Sequence, residues 1–256
     1  MNRPVSSAPG AAAFPYPVLY RSPRLIVIDK PAGLPVHAGP KTGRTLEDAF
    51  PLLSLRKDGP WLVHRLDADT SGCVLVALRK QALIQAQAAF QGRQVRKTYW
   101  AVVEGHPADH SGENASGEIN APLRRDEQRN GWRMIVDPRG QPARTGWRVL
   151  GRDGDRSWLE LTLHTGRTHQ ARAHCAALGC PILGDPVYYP LENRASGNRA
   201  VPLQLLSRRL EITVGEEHID TCATPPEAMT AFLGRMGYRP SDSTNQKRNS
   251  QVSDGV

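Results

Sequence analysis

Residues 61–72 read Trp-Leu-Val-His-Arg-Leu-Asp-Ala-Asp-Thr-Ser-Gly. An apolar, strand-like start runs into a histidine, an arginine and two aspartates, then closes on Thr-Ser-Gly before a second apolar run at 73–77. The charges fall where a chain leaves a sheet. A carboxylate at such a point can be part buried and still reach a substrate, an arrangement that suits a catalytic acid, base or nucleophile. The same residues would also make an Asx turn, with Asp67 or Asp69 accepting from backbone amides. The stretch by itself leaves both readings open.

Outward from it, short β-branched runs at 25–28, 73–77 and 99–103 and the alternating run 158–163 predict strands, the last with one wetted face. Residues 80–91 place Ala, Leu and Phe at helical spacing, with Gly92 just past the end. Residues 168–178 predict a second helix that opens on Thr168 as N-cap and stops at Gly179. Strands outnumber helices without a regular βαβ alternation. The expected class is therefore α+β: a mixed, mainly antiparallel sheet flanked by helices and loops. One catalytic domain is expected over 18–238, between ends (1–17 and 239–256) that are rich in Pro, Ala or polar residues and are expected to be disordered.

With 39% hydrophobic residues in 256, the chain can build a sizeable core. Its formal charge is +8, and arginine supplies 27 of the 33 basic residues. Guanidinium groups bind phosphate in a planar fork and stack on bases, so nucleic acid is the favoured partner, although a GC-rich genome also inflates arginine. No run approaches the ~20 apolar residues of a membrane helix, and the N-terminus lacks a signal-peptide pattern. A cytoplasmic protein without a membrane partner is expected. The four cysteines form no C-x-x-C pair, which suggests neither zinc nor a disulfide framework. Residues 124–156 hold nine arginines against five acids, a pattern that fits an RNA-facing hairpin or a solvated ribbon equally well.

Two further segments carry chemistry. In His-Thr-Gly-Arg-Thr-His-Gln-Ala-Arg-Ala-His, residues 164–174, Arg167 lies at a strand-to-helix turn, where its guanidinium could fix the rotamer of a carboxylate from a neighbouring strand end. His164, His169 and His174 are spaced by five, which does not stack them on one helical face, so structural roles are favoured over metal binding. In residues 95–105, Tyr99 opens a strand after Lys-Thr and is either core or a flat face for a base.

Taken together and in order, Asp-Lys-Pro-Ala-Gly-Leu-Pro-Val-His (29–37), His-Arg-Leu-Asp-x-x-Thr-Ser-Gly (64–72), Lys-Thr-Tyr (97–99), Thr-Gly-Arg-Thr-His-Gln-Ala-Arg-x-His (165–174) and Gly-Asp-Pro-x-Tyr (184–188) resemble the RluA-type pseudouridine synthases. The resemblance covers roughly residues 19–215. It implies a reaction in which uridine in RNA (transfer RNA, large-subunit ribosomal RNA or both) is isomerised to pseudouridine; a monomer without cofactor or metal is expected. It further implies that Asp67 is the catalytic carboxylate, that Tyr99 stacks on the target base and that Arg167 pairs with the aspartate. Arg65 would fill the space left by the flipped nucleotide, with His64 and Thr70 beside it. Lys30, Pro31, Gly33, Thr168, His169, Gln170 and Arg172 would be supporting motif residues.

The sequence departs from the family pattern at Leu205-Leu206-Ser207, where many relatives have Leu-His-Ala, and at Cys180, where His often stands. Both departures bear on the substrate subgroup more than on the reaction. The Lys-Pro-x-Gly motif begins within 30 residues of Met1, so RNA affinity is expected from the catalytic domain itself. Two rivals are a catalytically silent RNA-binding module of the same fold and a metal-dependent hydrolase built on His64, Asp67, Asp69 and the downstream histidines.

Overall fold

A computed structural model describes residues 13–39, 43–54, 56, 58–107, 115–128, 131–189 and 201–240. Its strands are β1 (Val18–Arg21), β2 (Leu25–Lys30), β3 (Trp61–Leu62), β4 (Ser71–Ala77), β5 (Arg96–Glu104), β6 (Ser116–Asn120), β7 (Leu123–Gln128), β8 (Gly131–Val136), β9 (Arg144–Asp153), β10 (Arg156–Leu163), β11 (Leu205–Val214) and β12 (Glu217–Cys222). Its helices are α1 (Lys80–Gln91), α2 (Gln170–Ala177) and α3 (Glu227–Arg235).

Ten strands form one sheet in the order β1-β2-β4-β11-β5-β10-β9-β6, with β3 added to β4 and β12 to β11; β7 and β8 make a separate hairpin. Every pairing is antiparallel except β4 with β11, where Leu206 and Ser207 run beside Ser71 and Gly72. The expected mixed, mainly antiparallel α+β architecture is what the chain adopts. That parallel contact explains the glycine of the Thr-Ser-Gly step. Gly72 sits at φ +106, and a Cβ there would lie 2.3 Å from the Ser207 carbonyl, so no larger residue lets the two strands meet.

Alternate residues of the central strands feed two hydrophobic clusters, one on each face. Trp100, Val102, Trp158 and Leu206 pack on one side, and Tyr99, Ala101, Leu159, Leu161 and Leu205 on the other, as the period-2 pleat requires. On the first side α1 lays Ala82, Ala86 and Ala89 against the sheet, the i, i+4, i+7 stripe of a narrow apolar face. The helix spans the expected residues, but Gly92 keeps a right-handed φ of −72. The left-handed position is Arg93, at φ 57.

Residues 1–12 and 241–256, most of the two ends expected to be disordered, lie outside the described residues. Within the remainder of the first end, Phe14 and Tyr16 rest edge to face at 5.5 Å against the cluster that contains Tyr99.

Candidate active site

Asp67 lies in the turn between β3 and β4, where its carbonyl accepts the Thr70 N–H at 3.2 Å. Thr70 is buried and Arg65 is exposed. What holds this turn comes from the 29–37 motif. Lys30 is fully buried at the end of β2, and its ammonium donates to the carbonyls of Pro31, Leu34 and Ala68, each at 2.8 Å. Gly33, at φ +81, supplies the left-handed step that brings the Leu34 carbonyl back onto the lysine. Burial lowers the Lys30 pKa to about 8 against the pull of Asp69 and Asp67. Two motifs distant in sequence thus close on one ammonium group next to the carboxylate.

The guanidinium beside Asp67 is that of Arg172, not Arg167. Arg172 Nη1 stands 3.4 Å from Asp67 Oδ2, and the same side chain forks onto Asp185 through Nε at 2.7 Å and Nη2 at 2.9 Å. Asp185 is itself fixed, since its Oδ1 accepts the N–H groups of Val187 and Tyr188. Arg167 points elsewhere and donates from Nε to the Pro142 carbonyl at 3.1 Å. The reason is local. Arg167 precedes the helix, and its N–H is held by Gln170 Oε1, whereas Arg172 sits in the first turn of α2 facing the core.

Thr168 is not the cap either: it is exposed, and His169 is the residue before α2, at φ 52 with no side-chain cap. Gln170 does the capping work. Its Oε1 accepts from the Thr165 hydroxyl and the Arg167 N–H, and its Nε2 donates to the Arg144 carbonyl and Thr145 Oγ1.

The left-handed conformation of His169, a strained one for a non-glycine residue, places Nε2 3.8 Å from Asp67 Oδ2. Burial lowers its pKa, with Asp67 pulling the other way. The imidazole stacks on Trp132 of β8 at 4.8 Å, and Tyr188 meets its edge while accepting the Met134 N–H at 2.8 Å. The β7–β8 hairpin is therefore docked on the helix that carries Arg172. Arg125 lies over the Trp132 ring at 4.9 Å, so this arginine-rich segment is in part an aromatic docking element. Arg129 lies outside the described residues.

Tyr99 stands on β5, separated from β4 by β11, and is buried in the wall of the same cleft. Burial raises its pKa while a hydrogen bond with Ser207 opposes the rise, so the phenol stays protonated at neutral pH. Ser207 is directly opposite Tyr99 in the β5–β11 register. The departure from Leu-His-Ala therefore lies alongside the site.

The cleft holds about 230 Å³ and is lined by Asp67, Tyr99, His169 and Arg172, with Arg65 and Lys97 at its border. That is below the ~300–1,000 Å³ of pockets for drug-sized ligands and suits one nucleoside. Arg65 and Arg167 also line an adjoining cleft of about 450 Å³ beneath the hairpin.

The metal-hydrolase alternative finds no support in this geometry. His64 Nε2 accepts the Leu75 N–H at 3.0 Å, and burial lowers the pKa of the ring to about 4. Both nitrogens of His174 are engaged, by Thr145 and the Ala121 carbonyl. Among the described residues no group of three or more His, Cys, Asp or Glu side chains is placed to hold a metal ion. The residues the sequence did not single out are Asp185, Tyr188 and Trp132. Asp185 and Tyr188 lay in the quoted Gly-Asp-Pro-x-Tyr stretch without a role; nothing in the sequence marked Trp132.

Residues 24–177 match the family model described as RNA pseudouridylate synthase. An uncharacterized RNA pseudouridine synthase of Zymomonas mobilis is 41% identical over 155 residues, which is 60% of this chain and 68% of that protein. The ribosomal large subunit pseudouridine synthase C of Vibrio cholerae is 36% identical over 155 residues, covering 60% of this chain and 46% of the relative. The chain thus spans about half the length of that protein and of several other curated relatives. Among solved structures, human RNA pseudouridylate synthase domain containing 1 superposes with a TM-score of 0.72 at 26% identity, covering 94% of this chain and 98% of that one.

Proposed function

The chain belongs to the RNA pseudouridylate synthase family, and from that premise we propose that it converts uridine within RNA to pseudouridine, with Asp67 as the catalytic carboxylate. The observation that carries this reading is the placement of Asp67 in a nucleoside-sized cleft, 3.4 Å from an arginine that is itself clamped by Asp185.

In the reaction the bond between the ribose anomeric carbon and uracil N1 breaks, the base turns, and the anomeric carbon bonds to C5. C5 loses its proton and N1 gains one, so nothing is oxidised and no group leaves. Asp67 starts the sequence either by attacking the anomeric carbon or by taking a proton from the sugar. The Arg172 guanidinium holds the carboxylate's direction, and Lys30 holds the turn beneath it.

A uridine stacked in RNA must first leave its stack, at a cost of a few kcal/mol. Tyr99 in the cleft wall supplies a stacking face that returns about 1–3 kcal/mol. Arg65 is exposed and lines the cleft, which supports assigning it to fill the space left by the flipped nucleotide. His64, which accepts the Leu75 N–H, and buried Thr70 hold that strand end and line the cleft beside Arg65. Arg167, bonded to Pro142, belongs to the RNA-facing rim.

The substrate we assign is ribosomal RNA of the large subunit, supported by the relatives named for that substrate; transfer RNA is the second candidate. The enzyme is expected to act as a cytoplasmic monomer, with 18–238 as its catalytic domain.

The test is Asp67→Asn. The variant should keep the parent's melting temperature and RNA affinity yet form no pseudouridine on RNA from cells lacking the protein, read by nucleoside mass spectrometry. Pseudouridine formation by that variant at the parental rate refutes the assignment, and product-free RNA binding by the parent supports the silent module instead. Mapping the modified positions identifies the RNA.

A further inference from the structure

On the face of the sheet opposite Asp67, a second cleft of about 870 Å³ crosses β9, β10, β5 and β11. The sides follow from the pleat: Tyr99 belongs to the cluster on the catalytic side and Trp100, beneath this trough, to the cluster on the other. Seven arginine or lysine side chains line it against two glutamates. Arg144 and Arg148 stand on one bank, Arg96 and Arg209 on the other, with Arg93 and Lys97 towards one end.

Several of these cations already have acidic partners: Arg148 with Glu160 at 2.7 Å, Arg144 with Glu118 at 2.8 Å and Arg96 with Glu211 at 3.8 Å. All three arginines are more than half exposed, and ion pairs so wetted contribute little and exchange readily for phosphate. Arg93 is exposed and held at a left-handed φ of 57, in no ion pair with a described residue. The Lys97 ammonium donates to the Thr165 carbonyl at 3.2 Å.

Lys97 and Leu163 line both this trough and the catalytic cleft, so the two meet over the rim at the start of β5. On the trough floor the Arg208 guanidinium covers the Trp100 ring at 4.4 Å, and the other rings in the lining are the small imidazoles of His164 and His218.

We propose that this trough is a second RNA site, which takes the sugar–phosphate backbone of the strand whose uridine enters the catalytic cleft. The proposal rests on the synthase reading of that cleft. A nucleotide flipped into the cleft leaves an unstacked strand at its mouth, and two cationic surfaces meet that mouth: the cleft beneath the hairpin on the Arg65 and Arg167 side, and this trough across Lys97 for the phosphates that leave in the other direction. With cations on both banks and the Trp100 ring covered, the trough attracts chiefly the backbone. Its contribution is therefore largely independent of sequence and steep in salt. It lengthens the footprint on the substrate beyond the modified nucleotide.

Fluorescence anisotropy of the full chain tests this with two labelled oligouridylates, one short enough to fill only the Asp67 cleft and one long enough to cross the rim. The log of affinity should fall more steeply with log salt for the long oligomer. In Arg93→Gln/Arg148→Gln the long-oligomer slope should flatten by about 0.7 for each single-strand phosphate contact removed, while the short-oligomer slope stays put. The matched Arg93→Lys/Arg148→Lys protein keeps the charge and should keep the slope, which separates charge loss from misfolding.

Equal slopes for both oligomers in the parent overturn the proposal, as does a double variant whose long-oligomer slope is unchanged. Pseudouridine formation is scored separately. A parent without product refutes the catalytic reading alone, because the trough is judged on binding slopes.

Discussion

Arg172 Nη1 stands 3.4 Å from Asp67 Oδ2 while the rest of its guanidinium is forked on Asp185. The Asp67 carboxylate is thus aimed by a side chain that is itself aimed by a second carboxylate. Such a chain transmits small errors. Lysine at 172 keeps the charge but cannot fork onto Asp185 and point at Asp67 together, and misplacing a reacting group by ~1 Å costs about 100-fold in rate. Arg172→Lys should therefore lower kcat by about that factor with KM little changed, read by single-turnover and steady-state kinetics. Asp185→Ala strands a buried guanidinium and should destabilise the fold by about 3–5 kcal/mol in urea titration.

Arg167 makes the contrasting case. Its Nε bonds the Pro142 carbonyl at the border of the cleft under the hairpin, so its removal leaves Asp67 and Arg172 where they are. Arg167→Ala should raise KM for RNA by about tenfold through a lost charge-assisted contact of ~1.5 kcal/mol, with kcat within a few-fold of the parent. A kcat loss as large as that of Arg172→Lys would return Arg167 to the carboxylate's side.

The difference between these two arginines marks the limit of what the sequence conveyed. Helix 80–91 was legible because Ala82, Ala86 and Ala89 repeat with helical period, and the central strands because their apolar runs alternate or persist. The position of Asp67 at a strand end was legible for the same reason. Which arginine faces it depends on where α2 begins, and that is decided by a left-handed histidine and a glutamine that folds back on the loop. Neither has a propensity signature, since His169 is in a conformation most residues avoid and Gln170 caps through tertiary partners. Asp185 and Trp132 arrive from distant segments through packing of α2 and the hairpin, which no local pattern announces.

Lys30 is the place where site and stability meet. Replacing it with methionine leaves the Pro31, Leu34 and Ala68 carbonyls without their donor and should cost about 2–4 kcal/mol, with a loosened Asp67 turn and a lower kcat at temperatures where the variant is folded. Its titration gives a second check. The folded-state pKa is lowered from 10.5 to about 8, so across that window the unfolded chain holds the proton that the folded chain has released. Stability attributable to Lys30 must then rise with pH from about 8 towards 10.5. Denaturant midpoints of parent and Lys30→Met, measured in parallel, should diverge over this range in the parent's favour.

Lys97 titrates in a range where pseudouridine formation can be assayed. Burial lowers its pKa to about 8, and it borders both the Asp67 cleft and the trough behind the sheet. The ammonium is present below that pH and lost above it, so any attraction to RNA phosphate is intact at pH 7 and gone by pH 9. For one charged contact of about 1.5 kcal/mol, KM should rise roughly tenfold over this interval, while kcat changes less because Asp67 and Arg172 are not involved. Lys97→Arg retains its charge throughout and should flatten the KM profile. A profile equally steep in the arginine variant assigns the titration to another group and removes Lys97 from the RNA-binding surface.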